Sequence, residues 1–212
     1  MRNSEIEWYK KGMKMKMFKH ALMLLIVGLL CGCNSSLKHI TLPEKYIETL
    51  PETVKLDVPH IPQNDRYSCA TTSLAMVMSY YDKKRYEKSD VWDASGSLVS
   101  AVTKNGNDMA GLKRAAEHFG FTRYEFATGL SIDSVKYLVS KHIPVIINIK
   151  NFHRNSYHAV VITGYDKEGF FIADPANYTY SKTYAAVNAH WQAKLSSPRG
   201  EVYKSGFIVY PK

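Results

Sequence analysis

A chain of 212 residues with a formal net charge of +9 and 45% hydrophobic residues is long enough for one domain with its own core. The basic balance is mild, spread along the sequence and not interleaved with aromatics, which excludes a nucleic-acid stripe and suits solubility or a nearby anionic surface. No H-E-x-x-H, Gly-rich phosphate loop or dinucleotide fingerprint occurs, so neither a catalytic metal nor a cofactor is expected.

Residues 14–20, KMKMFKH, carry Lys14, Lys16 and Lys19, and the uncharged run ALMLLIVGLL follows. A basic stub before a short apolar run is a secretory signal pattern, too short for a comfortable membrane span. The run ends in LCGC, Leu30 to Cys33, which resembles the lipobox of bacterial lipoproteins. That resemblance implies removal of residues 1–32 as a signal peptide and a lipid thioether on Cys33. An uncleaved anchor helix is the alternative. Either arrangement leaves the remainder outside the cytoplasm and tethered to a membrane, the outer one if the host is Gram-negative, since Asn34 is not the Asp of inner-membrane retention. Residues 1–32 hold six Lys or Arg and two Glu, so the remainder carries +5.

Residues 33–55 read as a tether with Pro43 and Pro51, and the strand-like VKLDV precedes Pro59. The domain proper is expected over 56–212. CATTSLAMVMSYYD sets Ala70, Leu74, Val77 and Tyr81 at helical spacing, with Ser68 as N-cap and Cys69 as the first helical residue. KSDVWDASGSLVSAVTKNGN reads as one short helix followed by a Gly- and Asn-containing loop. NDMAGLKRAAEHFGF repeats the helical device, with Asp108 as cap, Leu112, Ala115, Ala116 and Phe119 inward, and Gly120 as the stop. SIDSVKYLVSKH has Ser131 as cap and Val135, Leu138 and Val139 inward, and it ends before Pro144. The period then changes. PVIINI, HAVVIT, GFFIA and GFIVY are short β-branched runs, and SKTYAAVNAHW reads as a late helix with Tyr184, Val187 and Trp191 facing the core. Helices followed by an antiparallel meander make the fold α+β.

With Cys31 in the removed segment and Cys33 lipidated, Cys69 is the remaining thiol, either a reactive group or a small buried hydrophobe. A nucleophile needs a base. His158 opens HAVVIT, and pairing Gly164 with Gly169 across the turn sets it opposite Pro175. A one-residue change in the turn sets it opposite Asp174 instead. Asp-Pro is also a good turn starter on its own. An Asp beside a His fixes the tautomer and supports the imidazolium of catalysis. The alternative base, His153, lies in an apparent loop with no acid beside it. Gln63, six residues before Cys69, offers an amide donor to a developing oxyanion, worth roughly 3 kcal/mol. A helix N-terminus and a nearby His favour the reactive thiolate.

VPHIPQNDRYSCATTSLAMVMSYY, PVIINIK and SYHAVVITGYDKEGFFIADPA together resemble the C39-like branch of papain-like cysteine peptidases, over about residues 56–210. The resemblance implies a papain-like fold, its helical half carrying the Cys and packed on an antiparallel sheet carrying the His and Asp. It also implies Cys69 as nucleophile, His158 as general base and acid, Asp174 as orienting acid and Gln63 as oxyanion donor. Ala70 and Thr71 stand where members often have Gly or Ala and then Pro. Well-known members are exporter domains that cut leader peptides after paired glycines, a substrate less expected of a tethered, extracytoplasmic chain.

The expected function is a membrane-anchored peptidase acting on a peptide or protein through a thioester, with a secretion system among its candidate partners and no nucleic acid. The alternatives are a non-hydrolytic binding lipoprotein of the same fold and an acyl transferase, which differs only in its acceptor.

Overall fold

The strands at the centre of the sheet read as unbroken apolar runs because both faces of the sheet are covered. The computed structural model describes residues 38–39, 50–105, 109–150, 156–194 and 201–212. Cys31, Cys33, Asp108 and His153 lie outside them. The helices are α1 (Cys69–Asp82), α2 (Lys88–Ser95), α3 (Val99–Asn105), α4 (Met109–His118), α5 (Ile132–Ser140) and α6 (Tyr184–His190). The strands are β1 (Lys38–His39), β2 (Val54–Lys55), β3 (Tyr124–Thr128), β4 (Val145–Lys150), β5 (Tyr157–Tyr165), β6 (Gly169–Ala173), β7 (Thr179–Thr183), β8 (Gln192–Lys194), β9 (Glu201–Tyr203) and β10 (Gly206–Val209).

α1 is buried around its whole circumference from Cys69 to Ser79, not along one stripe. It is therefore a central helix, and its polar residues need partners inside the protein. Ser73 Oγ finds one in the carbonyl of Ala159 on β5, at 3.3 Å. α1 ends where Lys83 adopts the left-handed conformation, φ +53°. α5 starts as its sequence predicts, with Ser131 Oγ accepting from Ser134 N at 3.0 Å. The segment between α1 and α4 holds two helices, not one, because Gly96 (φ +61°) stops α2 before α3 begins.

The main sheet runs β1-β3-β10-β4-β5-β6-β7, with β2 paired to β5, and β8 pairs with β9 in a separate ribbon. β4 to β6 form the expected meander, and β7, which the sequence reading does not include, extends it beside β6. The last apolar run does not extend it, however: β10 inserts antiparallel between β3 and β4. SKTYAAVNAHW is helical only from Tyr184. Ser181 to Thr183 pair with β6, and the Thr183 hydroxyl then caps α6 by accepting from Ala186 N at 3.3 Å. Val187 and Trp191 are buried as the late-helix pattern predicts.

Alternate residues of the sheet serve two cores. Ile146, Ala159, Val161 and Phe207 pack with α1, α2 and α4. Val145, Ile147, Val160 and Ile162 pack with α5 and α6. Burying each of the valine, isoleucine and phenylalanine side chains stabilises by about 1.5–3 kcal/mol.

Candidate active site

α1 begins at Cys69, so the thiol sits where the unpaired N–H groups and partial positive charge of a helix start converge. No acidic residue in the first turn opposes that charge. Ser68 holds the N-cap position without capping the helix through its side chain. Its backbone (φ −89°, ψ 13°) lacks the extended geometry that aims a hydroxyl at the first turn. The hydroxyl donates instead to Asp65 Oδ2 at 2.6 Å.

The fold gathers the four residues singled out by sequence into buried positions: Cys69, His158, Asp174 and Gln63 are 7%, 5%, 1% and 5% exposed. His158, second residue of β5, is hydrogen-bonded to the Cys69 side chain. Its Nε2 lies 2.6 Å from Asp174 Oδ1. With Nε2 donating to the carboxylate, Nδ1 is the nitrogen left to face the thiol. Burial alone would lower the pKa of His158, but the bond to Asp174 and the Cys69 side chain outweigh it and raise it to about 9. Burial pushes Asp174 up, and His158, Asn177 and the Ala176 N–H outweigh it, holding the carboxyl at about 2.

The register that brings these residues together differs from both expected ones. Val161 pairs with Ala173 and Ile162 with Ile172, and a bulge at Thr163 shifts the pairing to Gly164 with Phe171. One step beyond the last pair, Asp174 falls opposite Val160, diagonal to His158 on the same face. Contact follows from the diagonal, not from direct opposition. Gly164 is required beside the bulge, since a Cβ there would lie 2.4 Å from the Val54 carbonyl of β2.

Asp174 both starts a turn and supports the histidine. Its carbonyl accepts from Asn177 N at 3.1 Å, and Oδ1 accepts from Ala176 N at 2.8 Å. Oδ2 accepts from Asn177 Nδ2 and from the Tyr180 hydroxyl, each at 2.9 Å. His60 Nε2 holds the same backbone carbonyl at 2.8 Å. Asn177 follows from the turn motif ADPAN. Tyr180 comes from β7 and His60 from a loop 114 residues away, and neither carries a local signal.

Gln63 is less free than a pure oxyanion donor. Its Nε2 donates to the Asp65 carbonyl at 2.6 Å, so one of its two amide hydrogens remains for another acceptor. Its backbone N–H donates to the Pro175 carbonyl at 2.8 Å, joining the loop before α1 to the turn after Asp174. Its Oε1 is buried with no hydrogen-bond partner among the described residues. A cleft of about 450 Å³ opens here, lined by His60, Gln63, Asp65, Pro175, Asn177 and Tyr178.

A buried thiol at a helix start, hydrogen-bonded to a histidine that a carboxylate orients, is an arrangement suited to nucleophilic attack on a carbonyl. The pattern of the Peptidase_C39 like family matches residues 55–197. The chain belongs to this family. This C39-like cysteine peptidase is 28% identical over 114 residues to the transport/processing ATP-binding protein ComA of Streptococcus pneumoniae strain R6, covering 54% of the present chain and 14% of that relative. The chain thus spans only a small part of the length of that curated relative. Among solved structures, a double glycine motif protease from an AMS/PCAT transporter, in complex with its leader peptide, superposes with a TM-score of 0.51. It is 22% identical over 75% of this chain and 95% of its own. Xylellain, a cysteine protease from Xylella fastidiosa, gives 0.53 at 14% identity, covering 82% and 91%. The C39-like peptidase is thus papain-like in fold, as the sequence resemblance implies.

Proposed function

We propose that this C39-like peptidase hydrolyses peptide or amide bonds through Cys69, His158 and Asp174, with Gln63 as oxyanion donor. The observation that carries the reading is the hydrogen-bonded chain from the Cys69 side chain through His158 to Asp174 Oδ1. His158 takes the thiol proton, and Sγ attacks the carbonyl carbon. The oxyanion meets the remaining amide hydrogen of Gln63 and the start of α1. When the tetrahedral centre collapses, the C–N bond breaks and His158 gives its proton to the leaving amine. His158 then takes a proton from water, the hydroxide breaks the C–S bond of the thioester, and the thiol regains its proton. Asp174 holds the imidazole orientation throughout and stabilises the imidazolium.

The substrate class proposed is a peptide. Support comes from the leader peptide held by the transporter protease and from the cleft beside Gln63. The enzyme is further proposed to act outside the cytoplasm, anchored through a lipid on Cys33, on the strength of the basic stub, apolar run and LCGC ending at residues 14–33.

The test is hydrolysis of a peptide panel that includes paired-glycine leader sequences, with Cys69→Ala as the comparison. Wild-type cleavage with a mass-detected thioester at Cys69, both lost in the variant, is expected. Equal activity of the two proteins on every peptide would overturn the reading.

A further inference from the structure

Asp65 is the most heavily engaged carboxylate of the segment leading to Cys69. Oδ1 accepts the backbone N–H groups of Tyr67 at 2.9 Å and Ser68 at 2.7 Å. Oδ2 accepts the Ser68 hydroxyl at 2.6 Å and Lys88 Nζ at 3.0 Å. Together these fill the roughly four lone-pair sites of a carboxylate. The Asp65 carbonyl meanwhile holds Gln63 Nε2 at 2.6 Å. Lys88, the first residue of α2, completes the brace by donating to the Gln63 carbonyl as well. The pair is partly shielded, with side chains 30% and 17% exposed.

One short segment thus carries both the amide assigned to the oxyanion and the thiol, and one ion pair fastens it from outside. We infer that Asp65 and Lys88 are positioning residues that set the Gln63 amide relative to Cys69, so that the oxyanion site is braced from α2. The inference rests on the proposed role of Gln63. Lys88 bonds Gln63 through the backbone and Asp65 through the side chain, and neither bond involves the imidazole. Loss of Lys88 therefore loosens the oxyanion donor while leaving the Cys69–His158 pair in its setting. The carboxyl of Asp65 is raised by its burial, but the Ser68 hydroxyl, the two backbone N–H groups and Lys88 outweigh this and hold it below its ordinary value. The brace is accordingly ionised at neutral pH.

Two reagents separate positioning from general damage. N-acetyl-glycyl-glycinal adds to the thiol and creates an oxyanion, whereas iodoacetamide alkylates the thiol without forming one. In Lys88→Met, the inhibition constant of the aldehyde is expected to rise about tenfold, a fraction of what a whole oxyanion donor contributes. Alkylation by iodoacetamide should stay within about twofold of wild type, and Lys88→Arg should recover much of the aldehyde affinity. Asp65→Asn should weaken the aldehyde further, and because Lys88→Met disturbs fewer bonds it serves if Asp65→Asn folds poorly.

Equal aldehyde affinity in wild type and Lys88→Met would overturn the inference while the peptidase reading stood. A parallel fall of aldehyde affinity, alkylation rate and melting temperature, unrelieved by Lys88→Arg, would overturn it in favour of a purely structural brace. Absence of any aldehyde adduct with wild-type protein would remove the peptidase reading, and this inference with it.

Discussion

Ser73 Oγ donates to the backbone carbonyl of Ala159, so the second turn of α1 is bonded to the residue that follows His158. The bond spans 86 positions and links the element carrying the thiol to the strand carrying the imidazole. Ser73→Ala is expected to cost about 1 kcal/mol of stability, measured by urea unfolding. Peptidase activity should fall several-fold, because the two groups lose a shared reference point.

Tyr180 and Asn177 share Asp174 Oδ2, while Oδ1 faces the imidazole. Tyr180→Phe removes one donor and leaves the carboxylate charged, so kcat/KM should fall by less than about tenfold. Asp174→Asn removes the charge that stabilises the imidazolium and fixes its orientation, and a loss of at least about a hundredfold is expected. Steady-state kinetics on any cleaved peptide ranks the two.

The His158–Asp174 pair sets a pH window. His158 rises to about 9 in the folded chain, so its share of stability is complete below its unfolded value near 6.5 and is lost as pH climbs through 9. Asp174 falls to about 2, so its share is present above about 3.8 and is lost as pH drops through 2. The difference in urea midpoint between wild type and His158→Gln should therefore be greatest between about pH 4 and 6.5 and shrink toward pH 9. A difference independent of pH would show that the pair does not bear on folding.

Gly164→Ala is expected to destabilise by about 1–3 kcal/mol or more, since the new Cβ meets Val54 O at 2.4 Å and Phe171 Cδ2 at 2.8 Å. Hydrogen exchange should show β2 released from β5 before the rest of the sheet opens.

If Cys33 carries the lipid, Cys33→Ser should release the protein from the membrane fraction while the purified domain keeps its peptidase activity. Fractionation with a fatty-acid label on the wild-type chain reads this directly.

The long helix, the four β-branched runs and the order Gln63, Cys69, His158, Asp174 were legible because each rests on local periodicity or a short motif. What escaped the sequence was non-local. The turn before β6 sets a register two and three residues from the expected ones, and the bulge at Thr163, visible only through its partner strands, takes one of these back. Tyr124–Thr128 and Thr179–Thr183 were missed as strands because neither is a β-branched run. The second alternates exposed and half-buried residues at the edge of the sheet. Lys88, the first residue of α2, carries no local signal of its role, because its bond to Asp65 crosses 23 positions.

The strand Gly206–Val209 lies between β3 and β4, so a late-made segment occupies an interior place in the sheet. A nascent chain that has reached Asp174 already holds every residue of the thiol–imidazole–carboxylate chain, yet β4 still has an open edge where β10 belongs. Such an edge is a template for wrong pairings, and sealing it requires a contact of high sequence separation, which is slow to form. A chain arrested before residues 206–209 is therefore expected to remain protease-sensitive, with the edge of β4 unsealed.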